Sequence, residues 1–363
     1  MQVSTNGHQA VAEALYGRYV WRKVSFILVL AILLVLVAMV ATATGASGIS
    51  VRDVCCVIAR KLVPGLHAVP RSEIAEAVVF DLRLPRIVLA ILAGISLGGA
   101  GAVMQGVLRN PLVSPMTLGV SSGAAFGAAL AILLGANLSA GSFIGRYEIT
   151  IGAFVFGSMT MVVIYGISKI KGATPATLLL AGVAMSYLYS AGLSLLQYVS
   201  TNEALKAIVV WLMGGLWGAS WTTDLVLLPI VVICTVILVS YSWDLNAFGA
   251  GEDVARGLGV NVRRLVNYSL ALSTLITSSV IAFTGVIGFI GLIAPHICRM
   301  LIGNDHRFLI PSSCLTGAVL LLLADTVGRN ILAPVEIPVG IVTSVLGVPF
   351  FIYLLLRQKQ RWW

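Results

Sequence analysis

Charge is what this sequence has least of. Only 10% of its 363 residues are Asp, Glu, Lys or Arg, and 59% are apolar, whereas a soluble domain carries about a quarter charged residues and somewhat under half apolar ones. That shortfall excludes a water-soluble fold. Ten-residue segments of alternating polarity are also missing, which excludes the strands of an outer-membrane barrel. In their place stand charge-free blocks rich in Leu, Ile, Val and Ala, such as residues 24–44, close to the ~20 residues that cross a ~30 Å hydrocarbon layer as a helix. Ten such spans are legible: 24–44, 86–108, 116–135, 149–168, 176–200, 224–243, 265–284, 286–302, 309–328 and 338–357. The expectation is an all-α polytopic membrane protein of about ten transmembrane helices, with a segment 1–23, one membrane domain 24–357 and a tail 358–363. Small residues after the first span resemble a signal-peptide cleavage site, but the length of the run argues that it is retained.

Other absences narrow the function. The loop GxxxxGK[ST], whose glycines and lysine hold nucleotide phosphates, does not occur, so the chain carries no ATPase of its own. Ionisable residues in mid-membrane usually mark proton or ion pathways. Here His296 and Asp325 are the candidates within the spans, too few for the relay of a coupled carrier. No paired acids and no nucleophile with a base converge in the spans, which disfavours an enzyme. Cys55, Cys56, Cys234, Cys298 and Cys314 lack metal-ligand spacing, and adjacent Cys55 and Cys56 are an awkward disulfide pair, so all five read as small apolar residues. His296 reads as a packing residue, since no second ligand stands at metal spacing.

What charge there is lies on one side. If both ends of the chain face the cytoplasm, the inner loops collect fourteen of the twenty-three bases and five of the fourteen acids, a surplus of nine that equals the formal charge of the whole chain. The positive-inside rule therefore accounts for the basic balance without nucleic acid. The longest outer segment, 45–82, is expected to hold a short surface helix or two. The stretch 203–221, carrying Trp211, Trp217 and Trp221, reads as a helix along the outer surface, because an eleventh span there would reverse the charge pattern. Glycines at helix-contact spacing, as in GISLG (94–98), GAAFG (123–127) and GGLWG (214–218), read as tight packing within the bundle. Prolines in RNPLVSP (109–115) and GATPATLLLAG (172–182) stand at inner span boundaries and admit either a gate or an ordinary turn.

The inner segment NAFGAGEDVARGLGVNVRR (246–264) is unusually polar. Glu252 and Arg256 stand four apart, acid first, while Val254 and Leu258 share another face at the same spacing, which describes a short amphipathic helix. Gly251 precedes it, and Gly257 and Gly259 let the chain turn out. Such a helix suits docking into a groove on another protein, or is a solvated loop with an incidental helical turn.

Several separated motifs together resemble the permease subunits of the FecCD family of binding-protein-dependent ABC importers for iron-siderophore complexes, haem and cobalamin. They are DLRLPRIVLAILAGISLGGAGAVMQGVLRNPLVSPMTLGVSSGAAFG (81–127), WLMGGLWG (211–218), AFGAGEDVARGLGV (247–260), GVIGFIGLIAPHICR (285–299), NDHRFLIP (304–311) and LLLADTVGR (321–329). The resemblance implies a homodimer in a prokaryotic inner membrane, two cytoplasmic ATPases that bind ATP and Mg²⁺, a solute-binding protein outside and no cofactor in this chain. It makes 246–260 the coupling segment, with Glu252, Asp253, Val254, Arg256, Leu258 and Gly259 at the ATPase contact. It places Arg83, Arg86 and Arg329 where acids of the binding protein dock, and Asn110, Leu112, Thr174 and Pro175 at a cytoplasmic gate. The cargo it implies is a ferric siderophore or haem, with cobalamin as the alternative. A passive channel or secondary carrier is the remaining rival.

Overall fold

The computed structural model describes residues 3–45, 51–62, 74–135, 143–171 and 174–357. The expected tail 358–363 and parts of the first outer loop, 46–50 and 63–73, lie outside the described residues. Among the described residues fourteen α-helices follow one another: α1 Val3–Ala43, α2 Val51–Leu62, α3 Leu84–Val107, α4 Val120–Gly135, α5 Phe143–Lys171, α6 Pro175–Val199, α7 Asn202–Leu212, α8 Trp221–Ser240, α9 Ser242–Gly249, α10 Glu252–Gly257, α11 Val262–Thr284, α12 Ile290–Ile302, α13 His306–Asn330 and α14 Val339–Arg357. A π-helical turn, Ala77–Arg83, leads directly into α3. Ten of the helices coincide with the ten expected spans. Seven of these are long and apolar enough to cross a membrane, and α4, α12 and α14 supply shorter apolar helices. The first span is not set off from the segment before it, because α1 runs unbroken from Val3.

Two of the expected spans begin with irregular backbone instead of helix. Expected spans beginning at 116 and 286 start as helix only at Val120 and Ile290. Two non-helical stretches, 108–119 and 285–289, enter the bundle from opposite ends and meet there: Met116 packs where a side chain on Gly288 would stand, and Pro115 lies against Gly291. Irregular backbone survives in a membrane only when protein or a wet cavity satisfies it. Part of it is satisfied locally: the Val113 amide donates to the Asn110 carbonyl at 3.2 Å, the Thr117 amide to the Ser114 carbonyl at 3.0 Å and the Gly285 amide to the Ile281 carbonyl at 2.8 Å. The surface helix expected over 203–221 is α7, which ends at Leu212. Its eleven residues span about 16 Å, too short to cross.

The centre of the bundle is α3, flanked by α11 and α13; 83%, 72% and 72% of their apolar windows are buried, against 28% for α6. Small residues explain the closeness. A methyl group on Gly94 would collide with backbone of Gly317 and Ala318, and one on Gly317 with the carbonyl of Gly94. Along this seam α3 and α13 therefore touch backbone to backbone, which only glycine permits. The GAAFG stretch behaves likewise, with Gly127 set against Gly152 of α5.

Candidate functional site

Local chain geometry builds the amphipathic element as expected. Gly251, at φ 139°, opens α10, and Gly259, at φ 85°, turns the chain away after it; both lie in the region open mainly to glycine. Gly257 is simply the last helical residue. The Glu252 carboxylate accepts from the Arg256 guanidinium at 2.6 Å. Asp253 is exposed, as are Val254 and Leu258 at 48% and 69%, while Ala255 is fully buried. The apolar pair thus faces outward, and Ala255 anchors the helix to the same core cluster as Leu245, Phe248, Leu265 and Val266.

What the sequence reading missed is the joint beneath it. In α9, the Asn246 amide donates to Asp305 Oδ1 at 2.8 Å and its carbonyl oxygen accepts from the His306 amide at 2.8 Å. Asp305 caps α13 and pairs with Arg307 at 2.7 Å and Lys23 at 3.6 Å, so α1, α9 and α13 meet at one carboxylate. Burial alone would raise its pKa; hydrogen bonds from Arg307 and Asn246 outweigh that and hold it well below the usual carboxylate range. Nearby, Arg109 donates to the Phe248 carbonyl at 2.5 Å and lies 4.0 Å over the centre of the Phe248 ring. Arg109 has φ 46°, a left-handed conformation that a side-chain-bearing residue adopts only when its surroundings compel it.

Arg109 precedes the first gate candidates. Asn110 Oδ1 accepts from the Leu112 amide at 2.9 Å and holds the chain in a turn, with Leu112 exposed. Thr174 caps α6 by accepting from the Thr177 amide at 3.2 Å, and Pro175 is the first residue of that helix. Thr174 and Pro175 form one wall of a cavity of about 650 Å³ whose opposite wall includes Phe248, Glu252 and Arg256. The structure therefore brings Glu252 and Arg256 together with Thr174 and Pro175 around one space.

At the other end the three arginines expected to be exposed are not. Arg83 and Arg329 are only 5% and 7% exposed. Arg83 donates to the Thr42 carbonyl at 2.6 Å. Arg86 grips Asp325 Oδ1 at 2.9 Å and Glu336 at 2.8 Å, and Arg329 pairs with the other Asp325 oxygen at 3.0 Å. Buried Asp325 draws both guanidinium groups inward, and all three arginines edge a cavity of about 440 Å³ together with Glu336. Asp224, hidden in the sequence at the very start of an expected span, is also buried, and neither of its carboxylate oxygens has a hydrogen-bond partner among the described residues. His296 is buried within α12, and no group of three or more His, Cys, Asp or Glu among the described residues is placed to hold a metal ion.

Comparison with known proteins decides the family: the model of the FecCD transport family matches residues 26–357. The chain belongs to the FecCD transport family. This FecCD chain is 44% identical over 351 residues to a protein of Methanocaldococcus jannaschii named as an ABC transporter permease, covering 95% of this chain and 98% of that one. It is 38% identical over 281 residues to the hemin transport system permease protein of Yersinia pestis, covering 77% and 84%. Identity is again 38%, over 290 residues, to the cobalamin import system permease protein of Halobacterium salinarum, covering 80% and 76%. Among solved structures, one described as an inward-facing metal-chelate type ABC transporter superposes on the FecCD chain with a TM-score of 0.79 at 35% identity, covering 92% of this chain and 99% of that one.

Proposed function

We propose that the chain is the transmembrane permease subunit of an ATP-driven importer, which takes a ferric siderophore or haem from a solute-binding protein and releases it into the cytoplasm. Beyond family membership, the observation that carries this reading is the outward pair Val254 and Leu258 on α10, an apolar knob at the basic end of the bundle. Such a knob fits a groove on a partner. In this reading the basic end is cytoplasmic, both termini lie there, and two copies of the chain pair in the inner membrane above two ATPase subunits. ATP and Mg²⁺ belong to those subunits, and this chain needs no cofactor. Closure of the ATPases displaces α10 with Glu252, Asp253, Arg256 and Gly259. The Phe248–Arg109 contact then passes the movement to Asn110 and Leu112, while the shared cavity lets it reach Thr174 and Pro175. This is alternating access by rigid-body movement.

At the other face the binding protein docks by acidic side chains into the cavity edged by Arg83, Arg86 and Arg329. Glu336 already occupies Arg86, so an incoming carboxylate exchanges with it. Equal identity to a hemin and a cobalamin relative keeps a corrinoid as the second cargo reading. A channel or secondary carrier would work without ATP. Proteoliposomes separate these: uptake is expected only when the ATPase, the binding protein and ATP are all present, and uptake by this chain alone overturns the proposal. Calorimetry of the cognate binding protein against ferric siderophore, haem and cobalamin identifies the cargo.

A further inference from the structure

A groove of about 430 Å³ runs between α5 and α11 at the basic end. At its mouth stand Arg263 and Arg264, both exposed, and neither forms an ion pair among the described residues. This sets them apart from Arg256 and Arg307 on the same face, each of which has a carboxylate partner. Above the mouth the lining becomes apolar. Arg264, Tyr268 and Ala271 follow one another at helical spacing on one face of α11, opposite Met161, Val162 and Tyr165 of α5. Seven residues of helix carry the groove about 10 Å into the span. On its lateral side, Val162 continues a stripe of exposed aliphatic side chains, Ile151, Val155 and Met159, along α5. Such a stripe faces hydrocarbon, so the groove opens sideways into the bilayer.

We infer that this groove binds an anionic phospholipid of the leaflet at the basic end, with its phosphate between Arg263 and Arg264 and the start of an acyl chain along Tyr268 and Ala271. The two parts of the groove match the two parts of that ligand. Unpaired guanidinium groups at a span end select an anionic headgroup, and an apolar shaft at membrane depth takes the chain. A water-soluble partner seated at the mouth leaves the shaft unfilled. Arg263 also edges the cavity containing Glu252 and Arg256, which puts the bound lipid beside the coupling segment.

The test uses the purified full-length chain, delipidated in detergent and titrated with dioleoyl phosphatidylglycerol, dioleoyl phosphatidylcholine or glycerol phosphate, with bound molecules counted by native mass spectrometry. Phosphatidylglycerol is expected to be retained over phosphatidylcholine. The double variant Arg263→Gln, Arg264→Gln loses that preference by roughly fivefold for each arginine, while Arg263→Lys, Arg264→Lys keeps most of it, separating loss of charge from loss of fold. Ala271→Trp, which fills the shaft and leaves both arginines, weakens phosphatidylglycerol binding as well. The inference is overturned if the glutamine variant retains the wild-type preference or if glycerol phosphate competes as well as the lipid. It also fails if the glutamine variant loses a co-purifying ATPase subunit while its lipid retention is unchanged.

Discussion

The guanidinium of Arg109 stands 4.0 Å over the centre of the Phe248 ring and hydrogen-bonds the carbonyl of the same residue, although 139 positions separate them. Two contacts to one residue make the joint directional: Phe248 cannot shift without moving the residue before Asn110. Cation–π contact and a charge-assisted hydrogen bond are each worth about 1–2 kcal/mol when partly buried. Arg109→Ala in the assembled transporter is expected to lower uptake per ATP hydrolysed by about tenfold while ATP hydrolysis continues. Arg109→Lys, which keeps the charge and loses the planar guanidinium, falls between. Counting substrate against phosphate released in proteoliposomes checks this; an unaltered ratio in the alanine variant removes Arg109 from the relay.

Val254 and Leu258 contribute little to the fold, since both stand largely in solvent. Changing both to Asp is therefore expected to leave the thermal midpoint of the purified chain within about 2 °C of wild type, as for exposed sites generally, and to abolish co-purification of the ATPase. An assembly that stays intact and pumping would show that α10 is not the docking element.

Asp325 and Glu336 both touch Arg86 but differ in burial, 1% against 37% side-chain exposure. Asp325→Asn leaves Arg86 and Arg329 without their shared counter-ion and is expected to destabilise the chain by about 3 kcal/mol, the usual result of breaking one side of a buried pair. Glu336→Gln has a different outcome. It frees Arg86 for an incoming carboxylate, so affinity for the binding protein should rise roughly two- to fivefold at low salt and converge with wild type at high salt. Weaker docking by the Gln variant at low salt would mean that Glu336 is itself a contact. Reversing Arg83 and Arg86 is a poorer test, because both are embedded in that end of the bundle.

The joint at Asp305 has a defined pH signature. Its pKa is depressed in the folded protein, so its contribution is fully present above the unfolded carboxylate value of about 4 and is lost as pH falls through the lower folded value. Thermal unfolding of wild type and Asp305→Asn should therefore differ by a constant amount between about pH 5 and pH 8 and approach one another only in stronger acid. A gap that opens or closes near neutrality would assign the effect to another group.

Much of this was readable in advance, for reasons that also explain the failures. Charge-free runs mark helices because lipid leaves the backbone no alternative, and the Glu252–Arg256 spacing marks α10 because an ion pair four residues apart is local. The irregular stretches 108–119 and 285–289 escaped notice because apolar composition is the same whether a residue is helical in lipid or extended inside protein. Arg83, Arg86 and Arg329 read as surface groups because the carboxylate that buries Arg86 lies 239 residues away. The Asn246–Asp305 link, 59 residues apart, leaves no periodic trace. Pairings made by tertiary packing are silent in a linear pattern, and the joint at Asn246, Asp305, Arg109 and Phe248 consists almost entirely of such pairings.

Where Gly94 and Gly98 of α3 meet Ser313, Gly317 and Ala318 of α13 the contact is backbone on backbone, so at that crossing neither helix can tilt or slide on the other without atoms overlapping. The pair is in effect a stator. Whatever swings during a transport cycle must be drawn from the less buried helices around that pair, such as α1, α5 and α6, and the glycines that weld the two central rods together are what give those outer parts something rigid to swing against.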